Sequence, residues 1–398
     1  MLAGAGADGR ASMPTVRQAL RGSGVVALSG LVGLAAAEGV LRLAGVKFDA
    51  SLYGEDAVTG WRLRPNAHGW WVSEGNSYVR INSAGMHDRE YQLSKPPGTV
   101  RIAVLGDSMT AAVQVAARET FAGVLEQELR SCRAFGGAVV EVMNFGVPGF
   151  GTAQQLLQYR HQVSRYAPDM VLLAFFTYND VHNNHRALNP VNPARAPYFV
   201  LDGADLVLDD SFLAHRSTYG QLRDRFGDLV NRSRVAQLVA EGLVRGLLFR
   251  TARRQEAETQ ERHGGDMGDL MLAPPRTPEM QEAWRVTEAI VRRLRTEVEE
   301  AGSRFWLVTL PVGLHLLPEA ERDRRIANRQ IEDLYYPNRR LDELARREGF
   351  HAVNLPARIA EMGEMPTDRL TYAAQGHYTP AGHRLVGTMI AREICGRR

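Results

Sequence analysis

Five short apolar runs punctuate the chain from residue 100 onward: Val100–Leu105, Val139–Met143, Met170–Phe176, Phe305–Leu310 and Ala352–Leu355. Runs this short and this apolar fit strands buried on both faces, as parallel sheets require. Amphipathic stretches separate them. Glu119–Cys132 places Phe121, Val124, Leu125 and Leu129 on one helical face, and Thr152–Tyr166 does the same with Leu156, Tyr159 and Val163. Thr277-Pro278 supplies an N-cap and a first-turn proline for a helix carrying Met280, Trp284, Val291, Leu294 and Val298. Thr379-Pro380 repeats that start signal for a final helix running to about Cys395. Strands alternating with helices specify an α/β protein with a doubly wound parallel sheet.

Composition agrees and excludes several classes. At 398 residues, with 44% hydrophobic and 23% charged residues, the chain is neither a disordered tail nor a multi-span membrane protein. A net charge of +3 is too small and too scattered to point to nucleic acid. Two cysteines, Cys132 and Cys395, are too few for a disulfide scaffold or a zinc ribbon.

One segment departs from the soluble pattern. Gly22 to Ala37 carries no charge, Gly39 to Val46 is again mostly apolar, and Arg10, Arg17 and Arg21 precede the stretch. Residues 22–44 therefore read as a transmembrane signal anchor, with 1–21 a cytoplasmic tail and the rest of the chain outside the cytoplasm. Glu38 and Arg42, spaced i, i+4, would pair on one helix face near the outer interface. A cleaved signal peptide, with Ala35-Ala36-Ala37 as cleavage site, and a buried core helix are the alternatives.

Two further regions flank or interrupt the alternation. Residues 45–99 are a strand-containing lead-in, exemplified by Ser77-Tyr78-Val79-Arg80-Ile81. Within the α/β domain of 100–398, residues 186–276 read as an insertion. It holds a hairpin of Tyr198–Leu201 against Leu206–Leu208 turning at Asp202-Gly203, a basic amphipathic stretch Asn231–Arg254, and a Gly/Asp/Pro-rich loop.

Polar features gather at the ends of the predicted strands. The first run ends in Gly106-Asp107-Ser108, the second leads into Asn144-Phe145-Gly146-Val147-Pro148-Gly149, and the third ends in Thr177-Tyr178-Asn179-Asp180. The last run is followed, after a loop, by Gly376-His377. Open α/β sheets place ligands at the carboxyl ends of their strands. A hydroxyl, an imidazole and two amide donors converging on that rim are what acyl transfer needs: a base to activate the serine, and fixed donors to hold an oxyanion.

These four blocks, in this order, resemble those of the SGNH (GDSL-type) hydrolases, and the lead-in and anchor resemble a membrane-anchored bacterial subgroup. The resemblance covers roughly residues 78–185 and 285–395. It implies a flavodoxin-like sheet, Ser108 as nucleophile, His377 as its base, and an oxyanion hole formed by the Ser108 N–H, the Gly149 N–H and the Asn179 side chain. It implies no cofactor and no metal. No Gly-x-Ser-x-Gly elbow is present, which sets the chain apart from the α/β-hydrolases.

The sequence departs from the family pattern at two places. An aspartate usually stands two or three residues before the histidine, where this chain has Gln375 and Ala374. Asp368 reaching in from the loop, or a Ser–His dyad supported by Gln375 or a backbone carbonyl, are the ways to fill that role. Thr177 stands where the family often has glycine, narrowing the pocket. His182 and His185 near the rim suggest a metal less than a polar pocket wall, and His383 reads as a structural or capping residue. Trp61, Trp70 and Trp71 either pack the lead-in or stack on sugar rings.

In a flavodoxin-like sheet the first and last helices lie side by side and run the same way, so Cys132 and Cys395, at their ends, become a candidate disulfide outside the cytoplasm. The resulting expectation is an extracytoplasmic serine esterase of O-acyl, chiefly O-acetyl, groups on cell-envelope or exported polysaccharide. Its partners would be an acyl-ester or glycan substrate and the membrane, without nucleic acid. An O-acetyltransferase using the same serine and a catalytically silent glycan-binding or assembly component are the alternatives.

Overall fold

The computed structural model describes residues 16–132, 134–189, 194–215, 218–242, 266–362, 369–372 and 376–396. The uncharged N-terminal stretch lies in one helix, α1 (Val16–Leu43), whose segment Ser23–Leu43 is long and apolar enough to cross a membrane by length and composition. That segment is not buried against the rest of the chain, which removes the core-helix alternative. Glu38 and Arg42 pair at 2.6 Å. The Glu38 carboxylate also accepts the N–H groups of Arg234 and Val235, both at 3.0 Å, and so caps a second helix across the insertion.

The lead-in forms two antiparallel hairpins, β1 (Tyr53–Asp56) with β2 (Gly60–Leu63) and β3 (His68–Trp71) with β4 (Ser77–Arg80). Leu52, Leu63, Val79 and Ile81 are buried in a cluster with Val113, Val147 and Phe150. Those last three belong to loops of the α/β domain, so the lead-in has no hydrophobic core apart from that domain.

The apolar runs become β5 (Thr99–Leu105), β6 (Val139–Asn144) and β7 (Met170–Phe176), interleaved with α2 (Ser108–Ala111), α3 (Phe121–Ser131) and α4 (Thr152–His161). Thr120 sets the start of α3, its hydroxyl accepting the Gly123 N–H at 3.1 Å. The stretch expected as one helix from Thr152 ends at His161 and continues as a 3-10 turn, Val163–Tyr166.

In the insertion, β8 (Tyr198–Asp202) and β9 (Asp205–Asp209) form the expected hairpin, turning at Gly203-Ala204 because Asp202 pairs with Asp205. α5 (Thr218–Arg232) and α6 (234–242) follow, separated at Ser233. The basic stretch read as continuous from Asn231 to Arg254 is broken there, and its part beyond residue 242 lies outside the described residues. The Gly/Asp/Pro-rich segment contains a short helix, α7 (Met267–Met271), whose Met267 and Met271 are buried. The rest of the chain is α8 (Pro278–Glu300), β10 (Arg304–Leu310), α9 (Glu319–Arg329), α10 (Tyr336–Glu348), β11 (His351–Asn354), α11 (Leu355–Ala360) and α12 (Pro380–Cys395). Leu355, expected at the end of a strand, instead begins α11, because the Asn354 side chain accepts the Ala357 N–H at 3.0 Å and caps it.

All five long-range strands pair in parallel in the order β11-β10-β7-β5-β6, which is the flavodoxin-like order. One face is covered by α3, α11 and α12, with Phe121, Leu125 and Ile390 buried against Val104 and Val308. The other is covered by α4, α8 and α10, with Leu156, Trp284 and Leu341 buried against Leu105 and Leu173. Cys132 and Cys395, at the ends of α3 and α12, are joined as a disulfide with their Cα atoms 6.0 Å apart.

Candidate active site

Ser108 is the first residue of α2, three residues past the carboxyl end of the interior strand β5. Asp107 caps that helix: its Oδ1 accepts the Met109 N–H at 2.9 Å, and its carboxylate is wholly buried. A first-turn N–H has no partner inside its own helix. Among the described residues the Ser108 N–H has no acceptor, and the Ser108 hydroxyl makes no hydrogen bond.

The loop after β6 folds over α2. Asn144 anchors it, donating from Nδ2 to the Thr110 carbonyl at 2.8 Å and accepting the Gly146 N–H at 2.9 Å. Gly149 lies at φ +80°, a left-handed conformation open to glycine at little cost, and a Cβ there would sit 3.3 Å from the Trp61 ring. Its N–H, like that of Ser108, has no acceptor among the described residues. Trp61 holds this loop from the lead-in side, donating from Nε1 to the Pro148 carbonyl at 2.9 Å and meeting Phe150 edge-to-face.

Past β7, the turn carrying Asn179 is closed by Asp180, whose Oδ2 accepts the Phe176 N–H at 2.7 Å. Asn184 ties the same turn to α4 and α8, donating to the Thr152 and Thr287 hydroxyls and accepting the Ala153 N–H at 3.0 Å. Asn179 then donates one Nδ2 hydrogen to Asp107 Oδ2 at 2.8 Å. A side-chain amide carries two such hydrogens, so this bond fixes the amide's orientation and leaves the second free. Asp107, Asp180 and Thr177 are all wholly buried. Burial pushes the Asp107 carboxyl up; the Asn179 and Met109 hydrogen bonds and the charge of His377 partly oppose that. Burial, and then the neighbouring Asp107, push Asp180 well up.

His377 precedes α12, and its charge lowers the Asp107 carboxyl, the residue next to Ser108. No hydrogen bond joins His377 to the Ser108 hydroxyl among the described residues. Asp368, Ala374 and Gln375, the positions considered for the histidine's acid, lie outside the described residues.

The described partner of His377 comes from elsewhere. Glu74, in the turn between β3 and β4, accepts the His377 backbone N–H at 3.0 Å through Oε1, and its Oε2 contacts the imidazole Nδ1. Partial burial raises the Glu74 carboxyl, and its hydrogen bonds to His377 and the charge there lower it further still, so the net displacement is downward. A cleft of about 590 Å³ opens at this pair, lined by Trp71, Ser73, Glu74, Gln114, Tyr372 and His377; Ser108 lies outside its lining.

The remaining sequence candidates are held by contacts of their own. His383 is wholly buried on α12, where its Nδ1 accepts the Phe121 N–H at 3.2 Å and burial brings its pKa down to about 3. His182 is buried and neutral, pushed down to about 4 by desolvation, and His185 is displaced downward by the same cause. Trp70 packs edge-to-face on Tyr78 beneath the Lys47 ammonium, and Trp71 packs on Tyr53 while bordering the cleft.

A flavodoxin-like sheet carrying a strand-end serine with unbonded backbone donors has the parts that acyl transfer by a serine hydrolase needs. A model of the GDSL-like Lipase/Acylhydrolase family matches residues 104–385, more than half of the chain, and the chain belongs to that family of ester hydrolases. A search of curated proteins returned no match. Among solved structures, a catalytic mutant of the acetylxylan esterase Axe2 from Geobacillus stearothermophilus aligns at 13% identity over 74% of this chain and 94% of its own, with a TM-score of 0.38. LAE5, an alpha/beta hydrolase enzyme from the metagenome of Lake Arreo, Spain, aligns at 13% identity over 75% and 95% of the two chains, with a TM-score of 0.37. The acetyl xylan esterase AlAXEase aligns at 11% identity over 73% and 98%, also at 0.37.

Proposed function

We propose that this ester hydrolase is membrane-anchored and extracytoplasmic, with Ser108 as nucleophile, and that it removes O-acyl, chiefly O-acetyl, groups from cell-envelope or exported polysaccharide. The observation that carries the catalytic part is the set of unused donors around one serine: the Ser108 and Gly149 N–H groups and the second hydrogen of an Asn179 amide that Asp107 holds in place. Ser108 Oγ attacks the ester carbonyl carbon while its proton passes to His377 Nε2. The carbonyl oxygen becomes an oxyanion held by the three donors, which strengthen their bonds only as that charge develops. Collapse of the intermediate expels the sugar hydroxyl, which takes the proton from His377. A water, deprotonated by His377, then releases the acyl group as a carboxylic acid and frees the serine.

The location rests on the exposed apolar segment Ser23–Leu43 behind a basic flank, and on the Cys132–Cys395 disulfide, a bond that persists in oxidising compartments. The substrate class rests on the family resemblance and on that location. Supplying the full chain with an O-acetylated polysaccharide tests the reading: free acetate should appear, and Ser108→Ala should abolish it. Acetyl recovered on an added glycan in place of free acetate would make the chain an acetyltransferase. Protease protection of the N-terminal tail in intact cells, with the domain itself outside, is the expected topology; a soluble protein beginning near Glu38 would mean a cleaved signal peptide instead.

A further inference from the structure

We propose that Glu74 is the carboxylate that holds His377 in its working tautomer, so that the lead-in completes the catalytic group of the α/β domain. The inference rests on the Ser108–His377 reading above and adds to it a positioning residue 303 positions away from the histidine. A base that takes the serine proton on Nε2 must keep its own proton on Nδ1. A carboxylate at Nδ1 selects that tautomer, fixes the ring and stabilises the imidazolium that forms.

Glu74 meets each requirement. One oxygen is placed at Nδ1, and the other is fixed by the His377 backbone N–H, so the carboxylate grips both ring and main chain. The histidine and glutamate side chains keep only 28% and 23% of their exposure, enough shielding for the pair to be more than a solvated surface contact. The carboxylate is displaced toward its ionised form, as an acceptor for Nδ1–H must be. During the reaction Glu74 keeps its charge and gains no proton: the serine proton rests on Nε2, and the Nδ1 proton stays on the ring.

The lead-in is built to hold Glu74 there. Gly75, next in the turn, lies at φ +75°, and a Cβ on it would come within 2.4 Å of the Gln114 carbonyl oxygen and 3.2 Å of the Tyr372 ring. The turn is thus wedged between the chain that follows α2 and the chain that leads into His377. Behind it, Val79 and Ile81 are buried with Val113, Val147 and Phe150. The same lead-in braces the Gly149 loop through Trp61. Both halves of the catalytic arrangement, the base and one oxyanion donor, are therefore supported by residues N-terminal to the family-matched region.

Glu74→Gln is the decisive variant. It preserves shape and one acceptor, but an amide that still accepts the His377 backbone N–H turns a donor toward Nδ1 and favours the wrong tautomer. By analogy with loss of a triad acid, kcat for p-nitrophenyl acetate should fall ~10²–10⁴-fold with KM little changed. Glu74→Asp should recover part of the loss. In the wild-type protein, ¹⁵N-histidine spectra should show a strongly deshielded Nδ1 proton that disappears in His377→Ala. Serine labelling and turnover that depend on His377 but are indifferent to Glu74→Gln would overturn the role of Glu74 and leave Ser108 standing. Absence of the Nδ1 proton signal from folded wild type would overturn it too, even if Glu74→Gln failed to fold.

Discussion

Asp107→Asn separates the two demands on the residue beside Ser108. The wild-type carboxylate is wholly buried and accepts two hydrogen bonds, from the Met109 N–H at 2.9 Å and from Asn179 Nδ2 at 2.8 Å. In the variant one of those two positions becomes an NH₂ group, so a donor faces a donor on one side. A hydrogen bond to a charged group contributes ~1.5–3 kcal/mol, and one such bond is lost. Against that, the variant no longer buries a charge whose pKa desolvation has already raised, so global stability should change little.

Turnover should respond differently. Loss of one oxyanion donor costs ~10²–10³ in kcat, about 2.7–4 kcal/mol of transition-state stabilisation. If Asp107 acts by aiming the Asn179 amide, Asp107→Asn and Asn179→Ala should each approach that loss, and the double variant should be about as slow as Asn179→Ala alone. Because the Asp107 charge also reaches His377, the comparison belongs on the pH plateau of each variant. Steady-state kinetics on p-nitrophenyl acetate beside urea denaturation provide the readouts. Asp107→Asn turning over within about threefold of wild type, or a double variant whose losses multiply, would show that Asp107 does not act through the Asn179 amide.

Two other consequences concern stability. The Cys132–Cys395 bond closes a sequence separation of 263 residues, so Cys132→Ser with Cys395→Ser should lower the unfolding free energy by ~2–5 kcal/mol in urea while leaving the initial hydrolysis rate of folded protein intact. Asp88, a lead-in residue that accepts the Asn144 N–H, is pushed by burial up to about 6, with the Asn144 and Arg89 N–H groups opposing the rise. Its folded form holds a proton more tightly than its unfolded form, so its contribution is fully present below the unfolded pKa and is lost as pH climbs through about 6. Between pH 4 and pH 8 the wild type should lose at most ~3 kcal/mol more than Asp88→Asn, read from paired urea titrations; equal losses would contradict the sign.

The parts of the fold that the sequence makes legible are those with local signatures. Both-face burial makes Met170–Phe176 apolar throughout, and proline after threonine marks the starts of α8 and α12. The strand-end blocks are legible because each is a short contiguous motif whose position follows from the strand before it. The cysteine pair becomes legible once the sheet order fixes α3 beside α12. Other features are set by tertiary contact alone. α7 is five residues long in a Gly- and Asp-rich segment, and its burial comes from the core it enters. Glu74 sits in Ser73-Glu74-Gly75-Asn76, a sequence that reads as any polar turn. Its one local hint is the adjoining glycine, and its pairing with His377 depends on how the lead-in docks. The two positions before the histidine are Gln375 and Gly376, and Asp368, the nearest upstream acid, lies outside the described residues, so the Glu74 contact could be recognised only in three dimensions.

Covalent labelling asks whether Ser108 is a nucleophile activated by His377. Folded protein treated with a fluorophosphonate probe and mapped by peptide mass spectrometry should carry one adduct, on Ser108, lost in Ser108→Ala and strongly slowed in His377→Ala. An adduct on another residue would rule out Ser108 as the nucleophile, and labelling of Ser108 that proceeds unchanged in His377→Ala would rule out His377 as its base.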